Sequence, residues 1–148
     1  MKKTLLLFVL LVISTTSYAG EVGGYRLWGS LSDGGTKSII SYPHGIATVR
    51  NHKVNPSSYG KYLGFSVFIK TTNVINSVYP YIYLADKAQK YINSTSGTNI
   101  TGTTGWKRYY TPHIYIPPHT KTIIVGVRID GAGKVEYYDD QLKEYSYK

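Results

Sequence analysis

The chain has no cysteine, which excludes disulfide staples and thiol catalysis together. Carboxylates are scarce, with 8 Asp and Glu against 17 Lys and Arg in 148 residues and a formal charge of +9. So small an acidic set disfavours glycoside hydrolysis, which needs two carboxyl groups at a defined separation. A Gly-x-Ser-x-Gly elbow and a His-Glu-x-x-His zinc motif are both missing. His44, His52, His113 and His119 fall in separate turns or loops. Of these, His113 and His119 flank one Pro-rich corner within reach of a pairing with Asp139, yet no activated nucleophile stands nearby. Catalysis is not expected. Helix-period patterns of useful length are also absent after the first residues, and the apolar run near the start is shorter than the roughly twenty residues that span a bilayer.

That run belongs to a leader. Lys2 and Lys3 form a positive start, residues 4–13 an apolar core, and Ser17-Tyr18-Ala19 a small-residue cleavage site. Residues 1–19 therefore read as a signal peptide, and residues 20–148 as one exported domain with one core, secreted, periplasmic or at the cell surface. No cysteine follows the apolar core, which excludes a lipid-modified lipoprotein. The basic balance favours anionic partners such as acidic polysaccharide or an anionic membrane. The basic residues are scattered, though, with no run longer than Lys107-Arg108, which argues against nucleic acid and for a solvated surface.

What the chain has in plenty is tyrosine, 16 residues with one in the leader. Tyr suits half-exposed sheet positions, and strands separated by Gly, Pro, Asn and Ser dominate. The class expected is all-β, a sandwich or barrel. Strands are expected at 25–31 with Trp28 buried, at 37–42 and at 46–50, followed by a polar surface loop over 51–60. Residues 61–70 alternate cleanly, with Leu63, Phe65, Val67 and Ile69 on the core face, and Gly64 opens space opposite for an aromatic or a ligand. Residues 78–86 form the next strand, at a sheet edge or bulge because Pro80 lacks an N–H. A short partner strand at 87–92 precedes a Ser/Thr/Gly loop at 93–104. That loop holds two acceptor sequons, at Asn93 and Asn99, whose use a bacterial-type leader argues against. Three strands within 102–142, joined by Gly- or Pro-marked turns, describe an antiparallel meander.

The sharpest functional hint is in 78–86, where Tyr79, Tyr81 and Tyr83 share one face and Val78, Ile82 and Leu84 the other. Side chains on one face of a strand repeat every 6.5–7 Å or so, comparable with a pyranose unit. With Tyr62, Arg108 and Tyr110 on neighbouring strands, the ladder has the chemistry of a sugar-binding surface. Its rings equally suit cross-strand pairs that close a half-buried face. Exposed Tyr with positive charge also fits an adhesin, a toxin subunit or another interaction protein.

The C-terminal stretch resembles the galactose-binding-like jelly rolls that serve as carbohydrate-binding modules. The residues that carry the resemblance are Gly102-Thr-Thr-Gly-Trp106, Tyr109, Pro117, the strand 123–129, Gly131-Ala-Gly133 and the Asp-Asp-x-Leu ending at Leu142. The match covers roughly residues 61–142. It implies a single jelly-roll β-sandwich and carbohydrate as partner, with Trp106 structural. The sequence departs from the family twice. One residue more than usual lies between Trp106 and Pro117, which a bulge near Pro112 would absorb. Tyr138 also stands where the family has its first Asp, a residue that in relatives helps hold structural calcium. Glu21, Asp139 and Asp140 remain the calcium candidates, and no other cofactor is implied.

Overall fold

A computed structural model describes residues 20–22, 25–27, 36–41, 46–47 and 50–147. The leader at 1–19, Trp28 and His44 lie outside the described residues, as do the side chains of β1, β2 and β4. The strands are β1 (Gly20–Val22), β2 (Tyr25–Leu27), β3 (Lys37–Ser41), β4 (Ile46–Ala47), β5 (Arg50–Lys53), β6 (Tyr62–Ala85), β7 (Tyr91–Ser96), β8 (Ile100–Tyr110), β9 (Ile114–Tyr115), β10 (Thr122–Asp130) and β11 (Gly133–Tyr145). Among the described residues one 3-10 turn, Pro56–Ser58, follows β5, with the Asn55 side chain accepting from the Ser57 N–H at 3.2 Å. The fold is the all-β jelly-roll sandwich that the sequence implies.

Its organising element is β6, a bent strand of 24 residues that runs through both layers. Its first half pairs antiparallel with β11 on one side and with β8 and β9 on the other. Its second half pairs with β10 and β7. The bend has a local cause. Leu63, Phe65, Val67, Ile69 and Thr71 point into the core at odd positions, whereas Val74, Val78, Pro80, Ile82 and Leu84 do so at even ones. Asn73, at φ 51, inserts the left-handed residue that flips the parity; Asn accepts that conformation more readily than most residues. Thr103 Oγ1 accepts the Asn73 N–H at 3.0 Å, and the Thr103 hydroxyl donates to Asn73 Oδ1 at 3.2 Å.

Residues from both halves form one apolar cluster, so the layers face each other across a shared core. Burying Leu63, Phe65, Val67 and Ile69 contributes roughly 6–10 kcal/mol before chain entropy is subtracted. The Gly131-Ala-Gly133 turn closes on the same corner, where Ala132 C=O accepts the Ile75 N–H at 3.0 Å. Gly133, at φ 143, passes so close that a Cβ there would stand 2.7 Å from Val74 Cα. Glycine is therefore required twice over, for its backbone angle and for its size.

Four sequence expectations change. β8, β10 and β11 do not form a meander: β11 and β8 flank the first half of β6 on opposite sides, and β10 pairs with its second half. The expected loop at 51–60 holds the end of β5, and its His52, Val54 and Ser58 are buried, since alternation turns His52 and Val54 inward while Asn51 and Lys53 stay exposed. The partner strand lies at 91–96 instead of 87–92, since Asp86 Oδ1 accepts the N–H groups of Ala88 and Lys90 and ties residues 86–90 into a turn. Most of the Ser/Thr-rich loop is strand as well, in β7 and β8. Pro80 sits where β7 has ended: Gly97 N–H donates to its carbonyl at 2.9 Å, so the face of the residue that lacks an N–H meets the gap between β7 and β8. The extra residue before Pro117 is absorbed between β8 and β9, where the Thr111 hydroxyl accepts the Phe65 N–H at 3.1 Å.

Candidate functional site

The alternation Val78-Tyr79-Pro80-Tyr81-Ile82-Tyr83-Leu84 buries the aliphatic set and turns the three phenols to the outer face. Cross-strand register decides what surrounds them. On β10, Arg128 stands opposite Tyr79, Gly126 opposite Tyr81 and Ile124 opposite Tyr83. On β7, Ser96 stands opposite Tyr81 and Ser94 opposite Tyr83. The three phenols, Ile124, Arg128, Ser94 and Ser96, with Gln89 from the turn before β7, line a groove of about 880 Å³. That size falls within the range of small-molecule sites. Small neighbours flank the middle ring: Gly126 has no side chain and Ser96 a short one. Tyr91 extends the ladder at its far end, its ring centroid 5.3 Å from that of Tyr83.

One ionic pair closes the opposite end. Arg128 Nε donates to Asp130 Oδ1 at 2.7 Å, and the Tyr79 hydroxyl donates to Asp130 Oδ2 at 3.1 Å. Burial and the bond to Asp130 raise the Tyr79 phenol above its ordinary value. Burial pushes Tyr81 up to about 12, with Arg128 pulling weakly the other way. Both groups stay neutral at physiological pH and keep their capacity to donate and accept hydrogen bonds.

The other residues grouped with the ladder from sequence lie elsewhere. Tyr62 is at the far end of β6, its ring 5.5 Å from Tyr115 and 5.1 Å from Tyr147. Arg108 faces the first half of β6, with its guanidinium 4.2 Å over the Phe68 ring. It donates to Ser66 Oγ at 3.0 Å, to the Asp139 carbonyl at 3.1 Å and to the Asp139 carboxylate. Tyr110, 64% exposed, is paired with Ser66 on the same layer. These three share an outer face with the first half of β6, whereas the ladder lies on the second. What the sequence reading missed is Arg128, Gln89 and the serines of β7. Arg128 and Asp130 share a face with Ile124 by simple alternation, a signal legible in residues 122–130, but nothing local reveals that β10 lies beside Tyr79.

Trp106 is also not core. It is 41% exposed, because β8 turns Trp106, Arg108 and Tyr110 outward and Tyr109 toward the core. Its ring meets Tyr138 edge-on at 4.8 Å, and Tyr138 stacks on Phe68 at 4.8 Å and 8°. The space opened by Gly64 is filled by an aromatic: a Cβ there would lie 2.7 Å from His113 Cδ2, and the His113 ring stacks on Tyr145 at 4.2 Å. His113 also bonds the Tyr147 hydroxyl, so its contacts lie away from Asp139.

The Asp-Asp pair of β11 falls on a bulge between Tyr138 and Gln141, with Asp139 at φ 46. Arg108 and Gln141 engage the Asp139 carboxylate, and Asp140 is buried. The Glu21 side chain lies outside the described residues, and among those described no three His, Cys, Asp or Glu converge as metal ligands. No helix among the described residues is long and apolar enough to cross a membrane.

No protein-family model matches the sequence, and no curated protein does. Solved structures of similar fold are found at low identity. The D431N mutant VP2 protein of infectious bursal disease virus, in derived T=1 particles, gives a TM-score of 0.57 at 12% identity over 96% of this chain and 36% of its own. The enzymatically active domain of bacteriophage CBA120 tailspike protein 4 gives 0.54 at 11% identity over 80% of this chain and 19% of its own. TmCBM61, solved in complex with β-1,4-galactotriose, gives 0.41 at 13% identity over 83% of this chain and 90% of its own. This chain thus spans well under half the length of the first two. The likeness to them is one of fold.

Proposed function

We propose that the protein is an exported, non-catalytic binding protein that recognises carbohydrate in the groove over Tyr79, Tyr81 and Tyr83. The observation that carries this reading is the lining itself: three phenol rings side by side on one strand, flanked by hydroxyl and amide groups that bear no charge. Ring faces take the C–H faces of a sugar, and Gln89, Ser94 and Ser96 supply donors and acceptors for its hydroxyls. Export rests on the leader at 1–19. The test is affinity electrophoresis through polysaccharide-containing gels. A Tyr79→Ala/Tyr81→Ala/Tyr83→Ala variant that keeps its far-UV spectrum is expected to lose retardation. Equal retardation of that variant would remove the groove from consideration.

A second reading, an interaction protein such as an adhesin or toxin subunit, is favoured by the other outer face. There Trp106 and Tyr110 stand exposed near Arg108, and Trp, Tyr and Arg are the residue types enriched at protein interfaces. Co-sedimentation with anionic liposomes that vanishes at high salt would assign a membrane surface to it instead.

A further inference from the structure

We infer that the groove is built for an uncharged, extended glycan, and not for the acidic polymers toward which the protein's net charge of +9 points. The inference rests on the carbohydrate reading above and narrows it to a substrate class. Among the described residues, Arg128 is the one ionic side chain lining the groove. Its Nε is held by Asp130 at 2.7 Å, and the second oxygen of that carboxylate takes the Tyr79 hydroxyl at 3.1 Å. The positive charge is thus met by a carboxylate fixed on the same strand, so Arg128 does not present an uncompensated charge to the groove. A uronate or sulfate entering here would have to share the guanidinium with Asp130 and would sit beside a like charge.

The other polar groups on the lining suit a neutral polyol. The phenols of Tyr79, Tyr81 and Tyr83, the Gln89 amide and the Ser94 and Ser96 hydroxyls both donate and accept without carrying charge. The three rings repeat along β6 at about 6.5–7 Å, so the floor runs about 13–14 Å and accommodates two to three consecutive sugar units. Tyr81 is the central platform, since its cross-strand neighbours are Gly126 and Ser96. At the two ends the rings are bounded, Tyr83 by Tyr91 and Ile124, and Tyr79 by Arg128. The basic residues Lys70, Arg108 and Lys134 are on the other layer, each in an ion pair with Glu136 or Asp139. Net charge draws polyanions to the molecule as a whole; the groove does not select them.

The experiment is calorimetric titration of the protein with neutral oligosaccharides (gluco-, galacto-, manno- and xylo-series) and with acidic ones (oligogalacturonate, hyaluronan), at about 0.05 and 0.5 M salt. A neutral series is expected to bind with a Kd that changes less than about twofold with salt, and acidic chains at least about tenfold more weakly. Gly126→Gln, which places a side chain beside Tyr81, should weaken neutral binding at least about tenfold. Should that variant misfold, Asp130→Asn gives an independent reading: it leaves Arg128 uncompensated, and acidic chains should gain at least about fivefold at low salt. Tighter, salt-sensitive binding of an acidic series by the unaltered protein would overturn the neutral-glycan inference while leaving carbohydrate binding intact. Binding of neither series would overturn both.

Discussion

The two halves of β6 both carry aromatic residues outward, and they use them differently. In the first half the neighbours of an aromatic are other aromatics: Phe68 stacks on Tyr138, Tyr138 meets Trp106, and Tyr62 meets Tyr115 and Tyr147. In the second half the neighbours are Gly126, Ser96, Ser94, Ile124 and Arg128, and the rings floor a groove. One strand thus presents the same kind of side chain as packing at one end and as an open platform at the other. The size of the residue across the ladder makes the difference, since cross-strand pairs are the unit in which a sheet face is built.

The most damaging test of this contrast strikes what the halves share. Phe65 is fully buried in the common core, and Phe65→Ala should cost about 3–5 kcal/mol, read by denaturant unfolding. One cooperative transition is expected; two separate transitions would show that the halves stand on separate cores. Next in size is a paired substitution across the two faces. Tyr81→Ala should weaken glycan binding by at least about tenfold, roughly 1.4 kcal/mol or more, with a smaller loss of stability. Tyr138→Ala should do the reverse, losing about 0.5–1.5 kcal/mol of stacking beyond its buried area while Kd stays put. If the two swap, the faces have been assigned the wrong way round.

The corner between the halves supplies a smaller effect. Asn73→Val forces a β-branched residue into a left-handed conformation and should destabilise by about 1–3 kcal/mol, whereas Asn73→Gly should retain most of the stability. A thermal melt of both variants distinguishes backbone geometry from the side-chain bonds to Thr103. Smallest of all is the pH response. Tyr81 has a folded value of about 12 against 10.0 for the free phenol, so the unfolded chain ionises first. Its contribution to stability is present in full below pH 10 and is lost as pH rises toward 12. Spectrophotometric titration should show a late-ionising phenol, and Tyr81→Phe should remove it.

Much of this was legible in the residues. Alternation over 61–70 and 78–86 announced which side chains are buried, and Gly131-Ala-Gly133 marked the turn between β10 and β11. Less legible were the elements whose character depends on a distant partner. The Ser/Thr-rich segment 93–104 resembles a loop until β6 lies beside it, and Trp106 resembles a core anchor until β8 turns it outward. The grouping of Tyr62, Arg108 and Tyr110 with the ladder mistook nearness to one strand for membership of one face; the parity flip at Asn73 lies between them and Tyr79.

By itself the sequence determined a β chain with an aliphatic interior, and that Tyr79, Tyr81 and Tyr83 leave that interior together. Side-chain direction along a strand is a local property, written in every second residue. Only the tertiary structure decided that Gly126 and Ser96 flank the middle phenol and that Asp130 answers the charge of Arg128. Pairing between strands joins residues tens of positions apart, and no stretch of sequence carries the identity of its partner.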